Sequence, residues 1–145
     1  MPRFMKSLNN ISRSQSVFRS AYIKADDLWF SHQAFLLTLN RFPGCSQERI
    51  AEELCLNKST VTRGLASLEE RGYVKREINA ENKREIKVFL TDKAMEILPL
   101  IKASSREWSE RVTHGIAQEE LDVFYSVLFR IESRAKEIVE GMEEK

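Results

Sequence analysis

The stretch Asn57 to Gly72, NKSTVTRGLASLEERG, constrains this chain more than any other, because it specifies one helix from start to stop. Val61, Leu65 and Leu68 recur at the spacing that puts apolar side chains on one helical face, and Ser59 and Arg63 fall on the opposite face. Asn57 stands where a side-chain oxygen can accept from the free amides of the first turn. Gly72 stands where a left-handed residue stops a helix, with Tyr73 placed to pack back on Leu68. The outward ridge is small and polar, with one long cation. Such a ridge suits the major groove of double-stranded DNA, because hydroxyls and a guanidinium reach base edges and phosphates where bulky apolar groups would hold the backbone away.

The neighbouring segments read as support for that helix. Ser46 predicts the cap of a short helix over Gln47 to Leu54, with Ile50, Ala51 and Leu54 inward. Cys55, Leu56 and Asn57 then form the turn of a helix-turn-helix, and the tightness of such a turn predicts positive φ at Cys55. Upstream, Ser31 predicts the cap of a helix carrying Phe35, Leu39 and Phe42, which ends before Pro43 and Gly44. Downstream, YVKREI and IKVFL read as two strands around the polar turn NAENKRE, and Thr91 caps the next helix. Two strands and a basic loop make a wing, with Lys75 and Arg76 at its base and Lys83, Arg84 and Lys87 at or beyond its tip.

The ends of the chain are amphipathic. Phe4, Leu8, Ile11, Phe18, Tyr22 and Ala25 predict a first helix from Phe4 to about Asp26. A helix over Thr91 to Thr113 contains Pro99, which predicts a bend near Met95. After Gly115, a helix from Gln118 to Met142 keeps a strict alternation of three and four through Leu121, Phe124, Leu128, Ile131, Ala135, Ile138 and Met142. A seam that regular faces another helix, so a homodimer is expected, with Leu8, Ile11, Phe18, Leu121, Phe124, Leu128, Ile131 and Ile138 in its interface. The expected fold is mostly α: a winged helix-turn-helix, three core helices plus a two-stranded β-wing, flanked by long N- and C-terminal dimerisation helices. The expected division is 1–28 for assembly, 29–92 for DNA and 93–145 for assembly, in one compact chain.

Charge supports the placement of the DNA-reading element. The net charge of +1 divides into 7 basic and 5 acidic residues over 1–56, 8 and 5 over 57–90, and 8 and 12 over 91–145. The basic excess peaks at the proposed helix and wing. No segment approaches the roughly 18 apolar residues of a membrane span, and no secretion signal is expected near Met1, so the expected location is the cytoplasm. Cys45 and Cys55 lack a CxxC spacing, and His32 and His114 are the only imidazoles, so neither a disulfide framework nor a metal site is expected. No phosphate loop, nucleophile elbow or HExxH motif is present; no cofactor and no enzymatic activity are expected.

The run QERIAEELCLNKSTVTRGLASLEERGYVKR, followed by a basic hairpin and LTDKA, resembles the MarR family of winged helix-turn-helix transcriptional regulators from about Leu28 to Ala94. The resemblance implies a sequence-specific regulator, a repressor that binds a pseudo-palindromic operator as a homodimer and is released by a small-molecule effector. On this reading Ser59, Thr60, Thr62 and Arg63 read bases, Arg84 enters the minor groove, and Lys58, Lys75, Arg76, Lys83 and Lys87 hold phosphates. Tyr22, Trp29, His32, Phe35 and Trp108 would line the effector pocket. The chain departs from the family where its wing commonly carries two Asp residues, here Asn79 and Asn82, and where Cys55 and Ala94 replace frequent glycines; Arg84 is retained. Two alternatives stay open: a winged-helix protein-interaction module without DNA binding, and a redox-sensing regulator acting through Cys45 or Cys55.

Overall fold

The computed structural model describes residues 2–24, 28 and 30–143. Its order is α1 (Pro2–Tyr22), α2 (Phe30–Arg41), α3 (Gln47–Leu54), α4 (Lys58–Glu70), β1 (Val74–Ile78), β2 (Ile86–Leu90), α5 (Asp92–Val112) and α6 (Gln118–Glu143). The chain falls into two compact units with the boundary after Trp108. The first holds the expected three-helix core and wing, and α5 runs across the boundary.

Local chemistry explains most of the element ends. Ser46 Oγ accepts from Arg49 N at 3.1 Å, starting α3, and Asn57 Oδ1 accepts from Thr60 N at 2.8 Å, starting α4. At the far end of α4, Gly72 has φ +81°; Tyr73 N reaches Leu68 O at 2.9 Å and Gly72 N reaches Glu69 O at 3.0 Å, which satisfies carbonyls the helix would otherwise leave bare. Tyr73 and Leu68 are both buried. Thr91 Oγ1 receives Ala94 N at 3.4 Å and opens α5, which continues through Pro99 to Val112.

Two expected ends shift. Ser31 lies inside α2 rather than capping it, since the helix already includes Phe30. The first helix stops at Tyr22, short of the expected end, and Ile23, whose N donates to Arg19 O at 2.8 Å, is buried in the core with Leu28. Ala25, Asp26 and Trp29 lie outside the described residues.

The wing strands pair antiparallel from Val74 opposite Leu90 to Ile78 opposite Ile86. A third short segment, which carries no strand signal in the sequence, runs along β2: Gly44 N reaches Val88 O at 3.1 Å, Val88 N reaches Cys45 O at 3.0 Å, and Ser46 bridges to Lys87. Gly44 is obligatory there. Its φ is +72°, and a Cβ would stand 2.8 Å from the Phe89 ring. These bonds fasten the wing to the start of α3, so wing and helix-turn-helix are positioned by one core that includes Leu36, Ile50, Val61, Leu65 and Val88.

Cys55 takes φ 52°, the left-handed conformation expected of the turn, and is the one non-glycine residue with positive φ among the described residues. Its side chain is exposed, and Sγ lies 3.9 Å from Glu52 O. Cys55→Gly is therefore expected to relieve strain on the order of 1 kcal/mol, partly offset by added freedom in the unfolded chain. Thermal unfolding should show a small rise in Tm, whereas a substantial fall would mean that the thiol contributes packing and the turn carries no strain.

No residue of α6 is buried. Leu121 and Leu128 are half-covered, but Phe124 is 52% exposed, Ile138 65% and Met142 71%. Ile11 of α1 is also exposed and Leu8 half-exposed. Phe18 differs from the other expected interface residues. Its ring lies 5.7 Å from that of Tyr22 and 5.5 Å from that of Trp108, within its own chain.

Candidate nucleic-acid interface

The outward face of α4 follows from what its inner face buries. Val61, Leu65 and Leu68 are fully covered, which turns Ser59, Thr62 and Arg63 to solvent; Thr60 is half-covered. Gly64 permits the helix to lie close to α2, since a Cβ there would stand 2.7 Å from Phe35 Cζ. The ridge is held by its own hydrogen bonds. Ser59 Oγ donates to Asn57 Oδ1 at 2.9 Å, and Thr62 Oγ1 donates to Lys58 O at 2.9 Å. Gln47, at the start of α3, reaches Thr62 Oγ1 with Nε2 at 3.5 Å, which brings a second polar side chain to the ridge. Among the described residues Arg63 makes no ion pair, so its five donors face solvent.

The wing tip is built by two asparagine turns. Asn79 Oδ1 accepts from Glu81 N at 3.0 Å, Asn82 Oδ1 accepts from Arg84 N at 3.1 Å, and Asn79 Nδ2 donates to Glu85 Oε2 at 2.9 Å. The loop is thus shaped without using the Arg84 guanidinium, which is exposed. An Asp at 79 would keep the acceptor but lose the donor and set its carboxylate against Glu85. Asn79→Asp is therefore expected to open the tip and weaken duplex binding several-fold. The double variant with Glu85→Gln should recover most of the loss; equal binding by Asn79→Asp and wild type would mean that the pair does not shape the loop.

The basic side chains differ in what they are free to do. Lys58 and Lys83 are exposed, and Lys87 is half-covered beside Ser46. Lys75 pairs with Glu77 at 2.9 Å, and that hydrogen bond raises its pKa. Arg76 is more firmly engaged: its guanidinium meets Glu69 Oε1 at 2.9 Å while its backbone N meets Oε2 at 3.1 Å. The Arg76 hydrogen bond holds the Glu69 carboxyl below its usual range. Glu69 therefore ties the end of α4 to β1, and a phosphate at Arg76 would have to compete with it.

A second clamp joins α4 to α5. Lys93 Nζ donates to Arg71 O at 2.7 Å and lies 4.3 Å from the centre of the Tyr73 ring, and Thr91 Oγ1 donates to Gly72 O. The roles of Gln47, Glu69 and Lys93 leave no trace in the sequence, because each acts on a residue 7 to 22 positions away. Cap and helix-period signals reach only about one turn along the chain.

The residues expected to line an effector pocket separate into two groups. Phe35 is buried against Gly64, and His32 is buried with its ring 6.2 Å from that of Phe35, so both serve the core of the first unit. Burial and then the nearby Arg71 charge lower the His32 pKa, which leaves it neutral at pH 7. Tyr22 and Trp108 are half-covered around Phe18, beside a buried Arg19 whose guanidinium meets Ser105 Oγ. Burial lowers the Arg19 pKa. Trp29 lies outside the described residues. A concavity of about 560 Å³ lies elsewhere, at the wing base, between Lys75, Glu77, Phe89, Leu90, Thr91 and Asp92. Cys45 is half-buried, and burial raises its pKa, which favours the unreactive thiol. No group of three or more His, Cys, Asp or Glu side chains could hold a metal ion among the described residues. No described helix is long and apolar enough to cross a membrane.

A capped helix with a short polar ridge, a preceding helix crossing behind it and a braced basic hairpin alongside define a winged helix-turn-helix protein. The MarR family model matches residues 32–86, which run from within α2 to the first residue of β2. Over 131 residues the chain is 24% identical to the uncharacterized HTH-type transcriptional regulator YybA of Bacillus subtilis (strain 168), covering 90% of this chain and 87% of that protein. The crystal structure of MarR superposes with a TM-score of 0.77 at 29% identity, over 92% of this chain and 91% of that one. A MarR family regulator from Listeria monocytogenes, crystallised with a 26-mer DNA, superposes with a TM-score of 0.85 at 20% identity, over 92% and 89%. Residues 32–86 thus match the MarR family model, within a winged helix-turn-helix fold that the chain shares with solved MarR-family regulators.

Proposed function

We propose that this chain is a sequence-specific repressor that binds a pseudo-palindromic operator as a homodimer in the cytoplasm, is released by a small-molecule ligand, and carries out no enzymatic chemistry. The observation that carries the reading is the α4 ridge: Ser59, Thr62 and Arg63 are exposed side by side on a helix capped at both ends. In the proposed complex α4 occupies the major groove with Ser59, Thr60, Thr62 and Arg63 toward base edges. Arg84 reaches the adjacent minor groove, and Lys58, Lys75, Lys83 and Lys87 meet phosphates. Arg76 contributes to phosphate binding only if it leaves Glu69. The Listeria relative crystallised with DNA supports this use of the fold.

The segment 29–92 serves DNA, and 1–28 and 93–145 serve assembly. Tyr22 and Trp108, half-covered and aromatic, are the expected residues best placed to touch an effector, because His32 and Phe35 are taken up by the core. Selection of bound duplexes from a random library tests the reading. Enrichment of an inverted repeat with half-sites about one turn apart, bound with an affinity that falls steeply with salt, is the expected result. Failure to enrich any sequence would leave the protein-interaction reading in its place.

A further inference from the structure

The two hydroxyls on the α4 ridge have their protons committed to the protein. Asn57 Oδ1 accepts the Thr60 backbone N–H at 2.8 Å, which fixes that atom as the oxygen of the amide. Ser59 Oγ lies 2.9 Å from the same oxygen, a distance at which two oxygens are held together only by a proton between them. That proton must come from Ser59, because an amide oxygen has none. Thr62 Oγ1 stands in the same relation to the Lys58 carbonyl, at 2.9 Å. Turning either hydroxyl outward to donate would set two lone pairs against each other across that distance. What the hydroxyls offer the solvent side is therefore lone pairs: Ser59 keeps both, and Thr62 keeps one beyond the long approach of Gln47 Nε2 at 3.5 Å. Arg63 offers donors only.

We infer that Ser59 and Thr62 are acceptor-only readers, which select base pairs that place an amino group, adenine N6 or cytosine N4, opposite them in the major groove, while Arg63 selects the acceptor edge of guanine. This rests on the DNA-binding reading and deepens it. The groove chemistry makes the choice informative. Adenine and cytosine carry an amino donor on that edge, whereas the outward atoms of guanine and thymine there are acceptors and a methyl group. A hydroxyl free to rotate would read either kind; one whose proton is held reads only the donor.

The test removes single base atoms from the selected operator and pairs each removal with a protein variant. Purine replaces adenine, or pyrimidin-2-one replaces cytosine, to delete an amino group; 5-methylpyrimidin-2-one replaces thymine, or 2-aminopurine replaces guanine, to delete an oxygen. Affinities of wild type, Ser59→Ala and Thr62→Val are measured on every duplex, so that the cost of weaker pairing in the duplex itself cancels within each cycle. All three proteins should fold alike, since both side chains are exposed and the Asn57 bond to Thr60 N remains in Ser59→Ala. Deleting one amino group in each half-site is expected to weaken wild type by roughly 3- to 10-fold more than it weakens the matching variant. Deleting an oxygen should show no such difference. Coupling to a deleted oxygen, or coupling to neither kind of atom, would overturn the inference even though the protein binds its operator. A wild-type protein that selects no operator would remove the DNA-binding reading itself, and the inference with it.

Discussion

Replacing Leu128 and Ile131 together by Asp is expected to abolish assembly and leave unfolded or aggregated protein. Both residues lie on α6, a helix of 26 residues in which no side chain is buried. Its seam of Phe124, Ile131, Ile138 and Met142 stays in water in the single chain, and each such side chain is worth about 1.5 to 3 kcal/mol when fully covered. In the proposed homodimer a second copy would supply the cover. Leu128 and Ile131 sit at the middle of the seam, so a two-fold dimer would lose four apolar side chains and gain four carboxylates at its centre. Uncompensated buried charge costs more than the apolar packing it replaces. Sedimentation of wild type should show a dimer at micromolar concentration, and the double variant should show monomer or aggregate. A folded wild-type monomer at that concentration would remove the two-fold operator from the proposed function, whatever the winged unit binds.

What is legible in the sequence divides by the range of the interaction. Ser46, Asn57 and Gly72 act on atoms within five positions of themselves, and all three are readable as caps or stops; so is the strained turn at Cys55. The wing strands are readable by their β-branched and aromatic content, Val, Ile, Phe and Tyr, on either side of a polar turn, although the segment at Gly44 to Ser46 that fastens them is not. Phe35 misleads for a tertiary reason. As an aromatic residue on α2 it looks available to a ligand, but Gly64, 29 positions on, leaves a slot that its ring fills. Arg76 reads from sequence as one more free cation, and only the fold places Glu69 beside it. Seven of the ten expected DNA-facing residues, Lys58, Ser59, Thr62, Arg63, Lys75, Lys83 and Arg84, are exposed, because exposure on an amphipathic helix or a hairpin tip follows from local periodicity. Which partner each one holds does not.

The substitution that separates reading from holding is Arg63→Ala beside Arg84→Ala. Arg63 projects from the middle of the α4 ridge with no ion pair among the described residues, so it can reach a guanine edge without leaving a partner. If it reads a base, Arg63→Ala should cost about 1 to 3 kcal/mol per half-site and relax sequence preference at that position. A dimer presents two copies, so the fall in operator affinity should compound. Arg84 acts from a different element. Its loop is shaped by Asn79, Asn82 and Glu85, so Arg84→Ala removes the cation without disturbing the hairpin. The expected result is weaker binding chiefly to operators with A·T-rich flanks, where the narrow minor groove concentrates negative potential, and a salt slope reduced by about one unit for each Arg84 removed from the DNA. Binding of both variants to the selected operator, to a version with G·C flanks and to random duplex, over a range of salt, distinguishes the roles. Equal weakening of all three duplexes by Arg63→Ala would make Arg63 a phosphate ligand rather than a reader, and no change with Arg84→Ala would mean that the wing stays clear of DNA.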